Sequence, residues 1–255
     1  MESDPRPEFR GPFSVLGPEE AAEFAGLGHL ATYGTGDALL RQGDRSDRVH
    51  VIVAGRVRIV RLTRHGEEVL LALRGPGDVV GELAAIDPAP RTATVTAIED
   101  VSLLTITGRA FRDFLRGHPH LLLAITRTLV TRLRESDRRL VEGRVEDTRT
   151  RVARQLLELA VRYGKVADHG LDLDVPLSQE QLASWVGASR EAVSLALRDL
   201  RASEGILTGR LRITIIDVDV VREAAFGVDT RGLQSGRQLG ARHVRSPGDP
   251  VRTQR

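Results

Sequence analysis

The sequence predicts an α+β protein with three parts: an N-terminal β-barrel of the jelly-roll type, one long helix, and a C-terminal winged helix-turn-helix domain. Between residues 31 and 107, turn signals recur about every ten residues and separate short runs rich in β-branched residues, a pattern typical of a barrel. From Pro119 to Gly143 no glycine or proline interrupts the chain, which indicates a long helix. The segment LSQEQLASWVGASREAVSLALRDL then predicts two short helices joined by a tight turn.

The composition excludes several classes of protein. The 255 residues include no cysteine, so disulfides, cysteine-ligated zinc, iron–sulfur clusters and thiol nucleophiles are ruled out. No apolar run reaches the length of about 18 residues that a membrane span needs, and the N-terminus lacks the apolar core of a signal peptide. We therefore expect a cytoplasmic protein that does not contact a membrane and is long enough for two domains.

The first part of the chain is expected to form the barrel domain, over residues 13–117. Residues 1–12 are polar and rich in proline, and we predict a disordered arm there. A short helix is expected to open after Pro18, with acidic residues in its first turn, and the barrel strands are expected from residue 31.

Residues 118–143 are expected to form a dimerisation helix and hinge. Apolar residues recur at spacings of 3 or 4, with Ser136 as the polar member of the series: Leu122, Ile125, Leu129, Leu133 and Leu140. This spacing is typical of a coiled-coil seam and favours pairing with a second copy of the same helix. The alternative is that the helix packs against its own barrel.

The predicted DNA-binding domain covers residues 144–226. Ser178 and Gln181 have the spacing of a capping box, Gly187 permits a left-handed turn, and Ser189 is placed to cap the second helix. Buried stripes are expected on both helices, and they comprise Leu182, Ala183 and Val186 on the first and Val193, Ala196, Leu197 and Leu200 on the second. A β-hairpin, ILTGRLRITII, follows as a wing, whereas residues 227–255 are expected to be a disordered basic tail.

Side chains outside the buried stripe of the second helix are placed to read DNA. In a major groove, Arg190 can bind a guanine through two hydrogen bonds and Glu191 can accept from a cytosine amine. The alternative is a helical hairpin in which both side chains are only solvated. The residues expected to contact double-stranded DNA are Ser178, Gln179, Glu180, Ser189, Arg190, Glu191, Ala192, Ser194, Leu195, and Gly209 and Arg210 at the wing tip.

The order of these segments resembles the CRP/FNR family of bacterial transcription regulators over roughly residues 30–226. The stretch GDALLRQGDRSDRVHVIVAGRVRIV looks like the cyclic-nucleotide-binding barrel of that family, and GELAAIDPAPRTATV looks like its phosphate-binding cassette. GASREAVS is similar to the start of its recognition helix. The resemblance implies a homodimer that reads a palindromic operator and works with RNA polymerase.

In family members that bind cyclic AMP, a cassette glutamate binds the ribose 2′-hydroxyl, and an arginine followed by Ser or Thr holds the phosphate. These positions correspond to Glu82, Arg91 and Thr92, with Gly81 and Leu83 beside them in the cassette. The chemistry agrees, because a guanidinium binds phosphate through two hydrogen bonds and glycine lets backbone N–H groups approach an anion. The alternative is that Glu82 and Arg91 form a surface ion pair.

The resemblance also implies a contact between the base and the long helix. Two polar residues, one from each subunit, reach the adenine in the family, and they correspond to Ser136 and Asp137. The aspartate departs from the hydroxyl or amide more usual there. It can accept from an adenine amine and would disfavour a purine with a carbonyl at that edge. The aspartate equally fits a different ligand or weak binding. The resemblance as a whole implies cyclic AMP as the effector, and no metal is expected.

The implied mechanism is a population shift between two arrangements of the hinge near residues 137–144, where Gly143 lies. In one arrangement the two recognition helices are about 34 Å apart, one turn of DNA. Leu195 stands where cyclic AMP regulators of the family have a second groove-facing arginine, and Ala192 replaces a threonine. We therefore expect a half-site that is related to the family's but altered.

Three other functions are alternatives to a regulator controlled by cyclic AMP. A family member that uses another ligand, or none, keeps the same fold. A haem sensor would need a barrel histidine such as His50 or His65, although single histidines on strands are more often surface residues. An enzyme is not expected, because the only close histidine pair, His118 and His120, flanks Pro119 at a helix start. A nucleotide-binding module that regulates a kinase or channel is not expected, because no such effector domain is recognisable in the sequence. The helix-turn-helix supplies an output domain instead.

Overall fold

The computed structural model describes residues 9–227, which form two compact units. The first unit contains the chain up to Thr148 together with Pro176–Ser194, and the second contains Arg149–Val175 together with the chain from Leu195. The predicted tail falls outside the described residues except for Gly227. Within the described part of the chain, no helix is long and apolar enough to cross a membrane.

The first unit is built on two four-stranded antiparallel sheets, in the orders β1-β8-β3-β6 and β2-β7-β4-β5. The strands are β1 (Gly28–Tyr33), β2 (Ala38–Leu40), β3 (Arg48–Ala54), β4 (Val57–Leu62), β5 (Glu68–Arg74), β6 (Val79–Val80), β7 (Thr94–Ala97) and β8 (Val101–Thr107). Side chains alternate between the two faces of a strand, so neighbouring residues of β3 enter different cores. Ile52 packs with residues of both sheets, whereas Val51 packs under helices.

Helices cover the outer face of the sheet that contains β3. They are α1 (Pro18–Gly26), α2 (Glu82–Ile86), α3 (Gly108–Gly117) and α4 (Pro119–Val145). Phe24, Phe111 and Leu121 are fully buried in the core that they form with β3 and β8. The helix predicted after Pro18 is present, but α2 was not predicted, and the first strand begins three residues earlier than expected.

The prediction of disorder is wrong for residues 9–12. The ring of Phe9 lies 5.4 Å from that of Phe24, and a 3₁₀ helix begins at Gly11. Phe13 is fully buried against Phe24, with ring centroids 5.1 Å apart. Apolar burial of these rings orders a segment whose composition alone indicated an arm. Residues 1–8 lie outside the described residues.

Helix α4 contributes both to the barrel core and to an exposed face. Ile125, predicted in the coiled-coil seam, is instead buried in the core with Leu121, and Leu129 packs against that core. The alternative prediction, that the long helix packs against its own barrel, therefore holds for this face of α4. Other apolar residues form an exposed stripe on α4, which comprises Leu122, Leu123, Val130, Leu133, Leu140 and Val141.

The predicted hinge also needs correction. Gly143 lies inside α4, which runs without a break to Val145. The break comes at residues 146 and 147, after which α5 (Thr148–Tyr163) begins. A single glycine within a helix weakens it by only about 1 kcal/mol, which the continuous hydrogen bonding of a long helix can absorb.

The second unit contains α5, a four-stranded antiparallel sheet in the order β11-β12-β10-β9, and a last helix. The bounds are β9 (Gly164–Ala167), β10 (Gly170–Leu173), β11 (Ile206–Gly209), β12 (Arg212–Ile215) and α8 (Val218–Phe226). The sequence predicted the hairpin of β11 and β12. It did not predict β9 or α8, although Asp217 caps α8 by accepting from the backbone N–H groups of Asp219 and Val220.

The two helices of the helix-turn-helix are α6 (Gln179–Val186) and α7 (Arg190–Ala202). Helix α6 packs on β5, where the Ser184 hydroxyl accepts from the Leu70 N–H at 2.9 Å and donates to the Glu68 carbonyl at 3.0 Å. Trp185, rather than the predicted Val186, is the third buried apolar residue of α6. The predicted buried stripe of α7 is confirmed at all four positions: Val193, Ala196, Leu197 and Leu200.

Candidate nucleotide pocket and DNA-reading helix

A sharp turn at Gly81 joins β6 to α2. Gly81 has a φ of 83°, in the left-handed region that favours glycine. A β-carbon at this position would lie 2.7 Å from the Arg48 carbonyl oxygen and 2.9 Å from Nη1 of Arg91. The close approach of these groups therefore requires glycine. The predicted approach of an anion to the backbone N–H groups at this turn stays a prediction.

The Arg91 guanidinium lies behind this turn and is only 5% exposed. It donates from Nη1 to the Gly81 carbonyl at 2.7 Å and from Nη2 to the Arg48 carbonyl at 2.5 Å. Nε and Nη2 donate to the Ser46 hydroxyl at 3.1 and 2.9 Å. Burial lowers the pKa of Arg91, and the nearby carboxylates of Asp47 and Glu82 oppose that shift. Arg91 thus joins the cassette turn to the segment that leads into β3.

Glu82 begins α2 and is 4% exposed. Its Oε1 accepts from Nη1 of Arg132 on α4 at 2.8 Å, and Nη2 of Arg132 also donates to Asp78 Oδ1 at 3.0 Å. Burial raises the pKa of Glu82, although the Arg132 charge acts in the opposite direction. The surface ion pair of Glu82 with Arg91 is wrong, because both side chains are buried and the carboxylate pairs with Arg132.

Arg132 is the pocket residue that sequence reasoning missed. The available signal was its spacing, because it precedes Ser136 by four residues and so shares a face of the helix with it. Arg139, about two turns after Arg132, donates from Nη1 to the Leu71 carbonyl at 2.9 Å. This face of α4 is therefore turned toward the barrel.

The other predicted ligand residues are at the surface. Leu83 and Thr92 are exposed, and so are Ser136 and Asp137 on α4. The structure thus brings Gly81, Glu82 and Arg91 together in a buried cluster. It leaves the groups expected to meet the base exposed to solvent.

The barrel histidine His50 is not a surface residue. It is 2% exposed, and its Nδ1 lies 2.9 Å from the Thr105 hydroxyl oxygen. Burial and the nearby arginines Arg91 and Arg48 lower its pKa to about 4, so the ring is neutral near pH 7. His65 is exposed, and His120 lies 3.3 Å from the Glu20 carboxylate. Among residues 9–227, no group of three or more His, Asp or Glu side chains is arranged to hold a metal ion.

The predicted caps of the helix-turn-helix are confirmed. Ser178 Oγ accepts from the Gln181 N–H at 3.1 Å, and Gln181 Oε1 accepts from the Ser178 N–H at 2.9 Å, which closes the capping box. Gly187 ends α6 with a φ of 65°, and Ser189 Oγ accepts from the Ala192 N–H at 3.1 Å. Local hydrogen bonds therefore set the start of α7.

The side chains expected to read DNA are mostly at the surface. Arg190 and Glu191, at the start of α7, are exposed, and Leu195 is 52% exposed. Gln179 and Glu180 at the start of α6 are also exposed, whereas Ser178, Ala192 and Ser194 are half-buried. Arg190 and Glu191 present opposite charges at adjacent positions on the helix.

The wing tip lies one residue beyond its predicted position. Gly209 pairs with Arg212 in the hairpin, so the turn residues are Arg210 and Leu211. Leu211 has a φ of 54° and is 49% exposed. Arg210 remains exposed at the tip, as predicted.

Comparisons with known proteins agree with this arrangement. The family model of the cyclic nucleotide-binding domain matches residues 30–118, and that of the Crp-like helix-turn-helix domain matches residues 150–224. The CRP-like cAMP-activated global transcriptional regulator of Mycobacterium tuberculosis is 38% identical over 164 residues, which are 64% of this chain and 73% of the relative. The cyclic AMP receptor protein of Thermus thermophilus is 32% identical over 217 residues, which are 85% of this chain and 97% of the relative.

The chain belongs to the CRP/FNR family of transcription regulators. The predictions of an α+β fold, a cyclic-nucleotide-binding barrel and a DNA-binding helix-turn-helix are therefore confirmed, and the chain is a regulator rather than an enzyme. Solved structures agree. The c-di-GMP-responsive regulator CLP of Xanthomonas campestris superposes with a TM-score of 0.69 at 22% identity, covering 78% of this chain and 99% of that one. At that identity the likeness concerns the fold alone.

Proposed function

We propose that this regulator is a homodimer whose binding to a palindromic operator responds to cyclic AMP. The observation that carries the proposal is the buried cluster of Glu82 and Arg91 at the Gly81 turn, tied to α4 by Arg132. A buried carboxylate beside a buried guanidinium is costly to desolvate and is typical of a functional site. The relatives from Mycobacterium and Thermus bear names that refer to cyclic AMP, which favours this nucleotide.

The proposed ligand contacts follow from the chemistry of each group. Glu82 accepts from the ribose 2′-hydroxyl, and Arg91 with the Thr92 hydroxyl binds the cyclic phosphate. Backbone N–H groups at Gly81 and Leu83 add donors at the turn. Ser136 and Asp137 meet the adenine, whose amine donates to the Asp137 carboxylate. The ligand must redirect the Arg91 donors that now bind Ser46 and the carbonyls of Gly81 and Arg48.

Arg132 links the pocket to α4. A ribose hydroxyl that donates to Glu82 either displaces the Arg132 guanidinium or donates to the carboxylate beside it. Either change alters how α4 is held against the barrel. A ligand shifts a conformational equilibrium only through a difference in its contacts between the two states. The Glu82–Arg132 pair provides such a difference, because it joins a cassette residue to the helix that precedes the DNA-binding domain.

The exposed stripe on α4 is the proposed dimer interface. Leu133 and Leu140, both more than 60% exposed, are unusual for a surface unless a partner covers them. A two-fold dimer places its recognition helices about 34 Å apart on one face of the operator. In this proposal the protein acts in the cytoplasm together with RNA polymerase.

Each half-site is read by the start of α7. Arg190 binds a guanine and Glu191 accepts from a cytosine amine, while Leu195 contacts a thymine methyl group. Phosphate contacts come from the serines at the helix starts, from backbone N–H groups there, including those of Gln179 and Glu180, and from the wing residues Gly209 and Arg210. Selection from random DNA should return a half-site that lacks a strong guanine at the position facing Leu195. Recovery of that guanine would contradict this assignment.

Titration calorimetry with cyclic AMP tests the pocket directly. We expect saturable binding by the wild type, loss of binding in Arg91→Ala, and retention in Arg61→Ala, an exposed arginine on β4. A melting curve for each variant separates lost binding from lost folding. If the wild type does not bind cyclic AMP, the effector assignment is wrong. The DNA-binding assignment is unaffected, because it rests on the helix-turn-helix.

One observation favours a second candidate, a family member that uses another ligand or none. Four donor contacts of Arg91 already have acceptors within the barrel, so the pocket is satisfied without an anion. Parallel titrations with cyclic GMP and c-di-GMP distinguish the alternatives. Operator binding that is unchanged by all three nucleotides would favour a ligand-independent regulator.

A further inference from the structure

Three polar side chains form a hydrogen-bonded group on the sheet of the second unit, on the face opposite to that of the buried Ile215. Asp172 on β10 pairs with Thr214 on β12, and Arg212 lies two residues before Thr214 on the same face. Oδ1 of Asp172 accepts from the Thr214 hydroxyl at 2.6 Å, and Oδ2 accepts from Nη2 of Arg212. Both carboxylate oxygens are therefore engaged, and the carboxylate orients the guanidinium.

The two ends of this group differ in exposure. Thr214 is 8% exposed and fixes the carboxylate from below, whereas the Arg212 side chain is 65% exposed. The hydrogen bonds from Thr214 and Arg212 lower the pKa of Asp172, so the carboxylate is charged near pH 7. Lys165 lies opposite Asp172 on β9, but its Nζ pairs with Oδ2 of Asp174 at 2.6 Å. Arg212 is therefore the cation that Asp172 holds at the surface.

The oriented guanidinium has donors left for an anion. Within residues 9–227, Nε and Nη1 of Arg212 have no hydrogen-bond acceptor. Gly209 pairs with Arg212 in the hairpin, and its φ lies outside the left-handed region. Among the described residues, a β-carbon at Gly209 would meet only the β-carbon of Arg212, at 3.8 Å. Neither backbone conformation nor packing requires this glycine, and its missing side chain leaves one flank of Arg212 open.

We propose that Arg212 binds a phosphate of the DNA backbone and that Asp172 is its positioning residue. Arg212 directly follows the turn of Arg210 and Leu211, so the inference rests on the wing contact in the proposed function. Hydrogen bonds from a guanidinium to phosphate oxygens are among the strong ones in proteins. A guanidinium that is oriented before binding also loses less conformational freedom when the phosphate arrives.

The alternative is an ion pair between strands that only stabilises the sheet. The salt dependence of DNA affinity separates the two roles. Each phosphate contact releases counterions and contributes about 0.9 to the slope of log affinity against log salt concentration. A pair that only stabilises the sheet makes no contribution to this slope.

Fluorescence anisotropy of the full chain on a random-sequence DNA duplex, over a series of salt concentrations, tests the inference. Such a duplex suits a backbone contact, and it makes the measurement independent of the operator and the effector. Arg212→Ala should reduce the slope by about 0.9 for each bound subunit. Asp172→Asn should also reduce the slope, and Thr214→Val should do so to a smaller extent. Asp174→Asn, the matched control, removes the same charge from the pair with Lys165 and should not reduce the slope.

The double variant shows whether the carboxylate acts through the arginine. If it does, adding Asp172→Asn to Arg212→Ala should reduce the slope no further. An unchanged slope in Arg212→Ala would overturn the phosphate contact. Tighter DNA binding by Asp172→Asn than by the wild type, with a steeper slope, would mean that the carboxylate withholds Arg212 from DNA, and the positioning role would be wrong.

Arg210→Ala distinguishes failure of this inference from failure of the proposed wing contact. If Arg210→Ala reduces the slope and Arg212→Ala does not, the wing contact stands and the inference fails. If neither variant reduces the slope, both fail. Urea unfolding of each variant verifies that a changed slope does not come from a loss of folding.

Discussion

The pocket and the DNA-reading helix hold their functional groups in opposite ways. Glu82 and Arg91 are buried, and each is bonded to other parts of the barrel unit. Arg190 and Glu191 project from α7 at the surface, and the position of that helix is set by Ser189 and the turn at Gly187. Removing Glu82 or Arg91 therefore leaves buried partners unsatisfied, whereas removing an exposed side chain of α7 leaves no buried group without a partner.

This difference has a consequence for regulation. In the proposed function, a ligand replaces hydrogen bonds that already exist in the pocket. The difference in free energy between the old and the new contacts is what can shift the conformational equilibrium. The start of α7 needs no such exchange, because its caps fix it before DNA binds. In the proposed function, regulation therefore acts through the pocket and α4, whereas sequence recognition depends on exposed side chains.

The largest effect is expected at Arg132. Arg132→Ala removes the cation paired with the buried Glu82 carboxylate, and such losses destabilise proteins by about 3–5 kcal/mol. Urea unfolding measures the change. Adding Glu82→Gln removes the unpaired charge and should restore at least about 1 kcal/mol. A double variant as unstable as Arg132→Ala would mean that the pairing with Glu82 is not the cause.

A pH dependence of stability is expected from His50. Its pKa is lowered from 6.5 to about 4 in the folded barrel, so between these values the unfolded chain binds a proton that the folded chain does not. The free energy of unfolding therefore falls as the pH is lowered from 6.5 toward 4, by about 3 kcal/mol for this shift.

The difference in free energy of unfolding between the wild type and His50→Gln, measured at each pH, separates the contribution of His50 from that of the other titrating groups. The decline should be smaller in His50→Gln and unchanged in His65→Gln, which alters an exposed histidine. Urea midpoints at several pH values between 4 and 7 provide the measurement. Parallel curves for His50→Gln and wild type would show that His50 does not cause the slope.

Arg190→Ala is the matching test in the DNA-reading helix. The variant should lose about 1–3 kcal/mol of discrimination for guanine at one operator position. Its free energy of unfolding should stay within about 0.5 kcal/mol of the wild type, because the side chain is exposed. Fluorescence anisotropy with single-base operator variants measures the first quantity, and Arg198→Ala, also exposed on α7, is the control. Equal losses on every operator variant would indicate a phosphate contact instead.

The sequence predicted what depends on local signals. The capping box at Ser178, the turn at Gly187 and the buried stripe of α7 follow from spacing within a few residues. Arg132 could not be identified this way, because its pairing with Glu82 joins residues 50 positions apart. The same limit applies to Ile125, whose apolar spacing suits both a coiled coil and a barrel core. Only tertiary packing distinguishes these two environments.

The wing tip is expected to be an exception to the difference between buried pocket residues and exposed residues of the DNA-binding domain. There, one exposed residue is expected to affect stability. Leu211 has a φ of 54°, which costs a non-glycine residue about 1–2 kcal/mol. Leu211→Gly removes this strain and loses about 0.5–1 kcal/mol of backbone entropy, so unfolding should become about 0.5–1 kcal/mol less favourable. The same substitution at Leu207, an exposed residue of β11 without a positive φ, should instead destabilise the protein. Thermal melts that place both glycine variants below the wild type would show that the Leu211 backbone is not strained in solution.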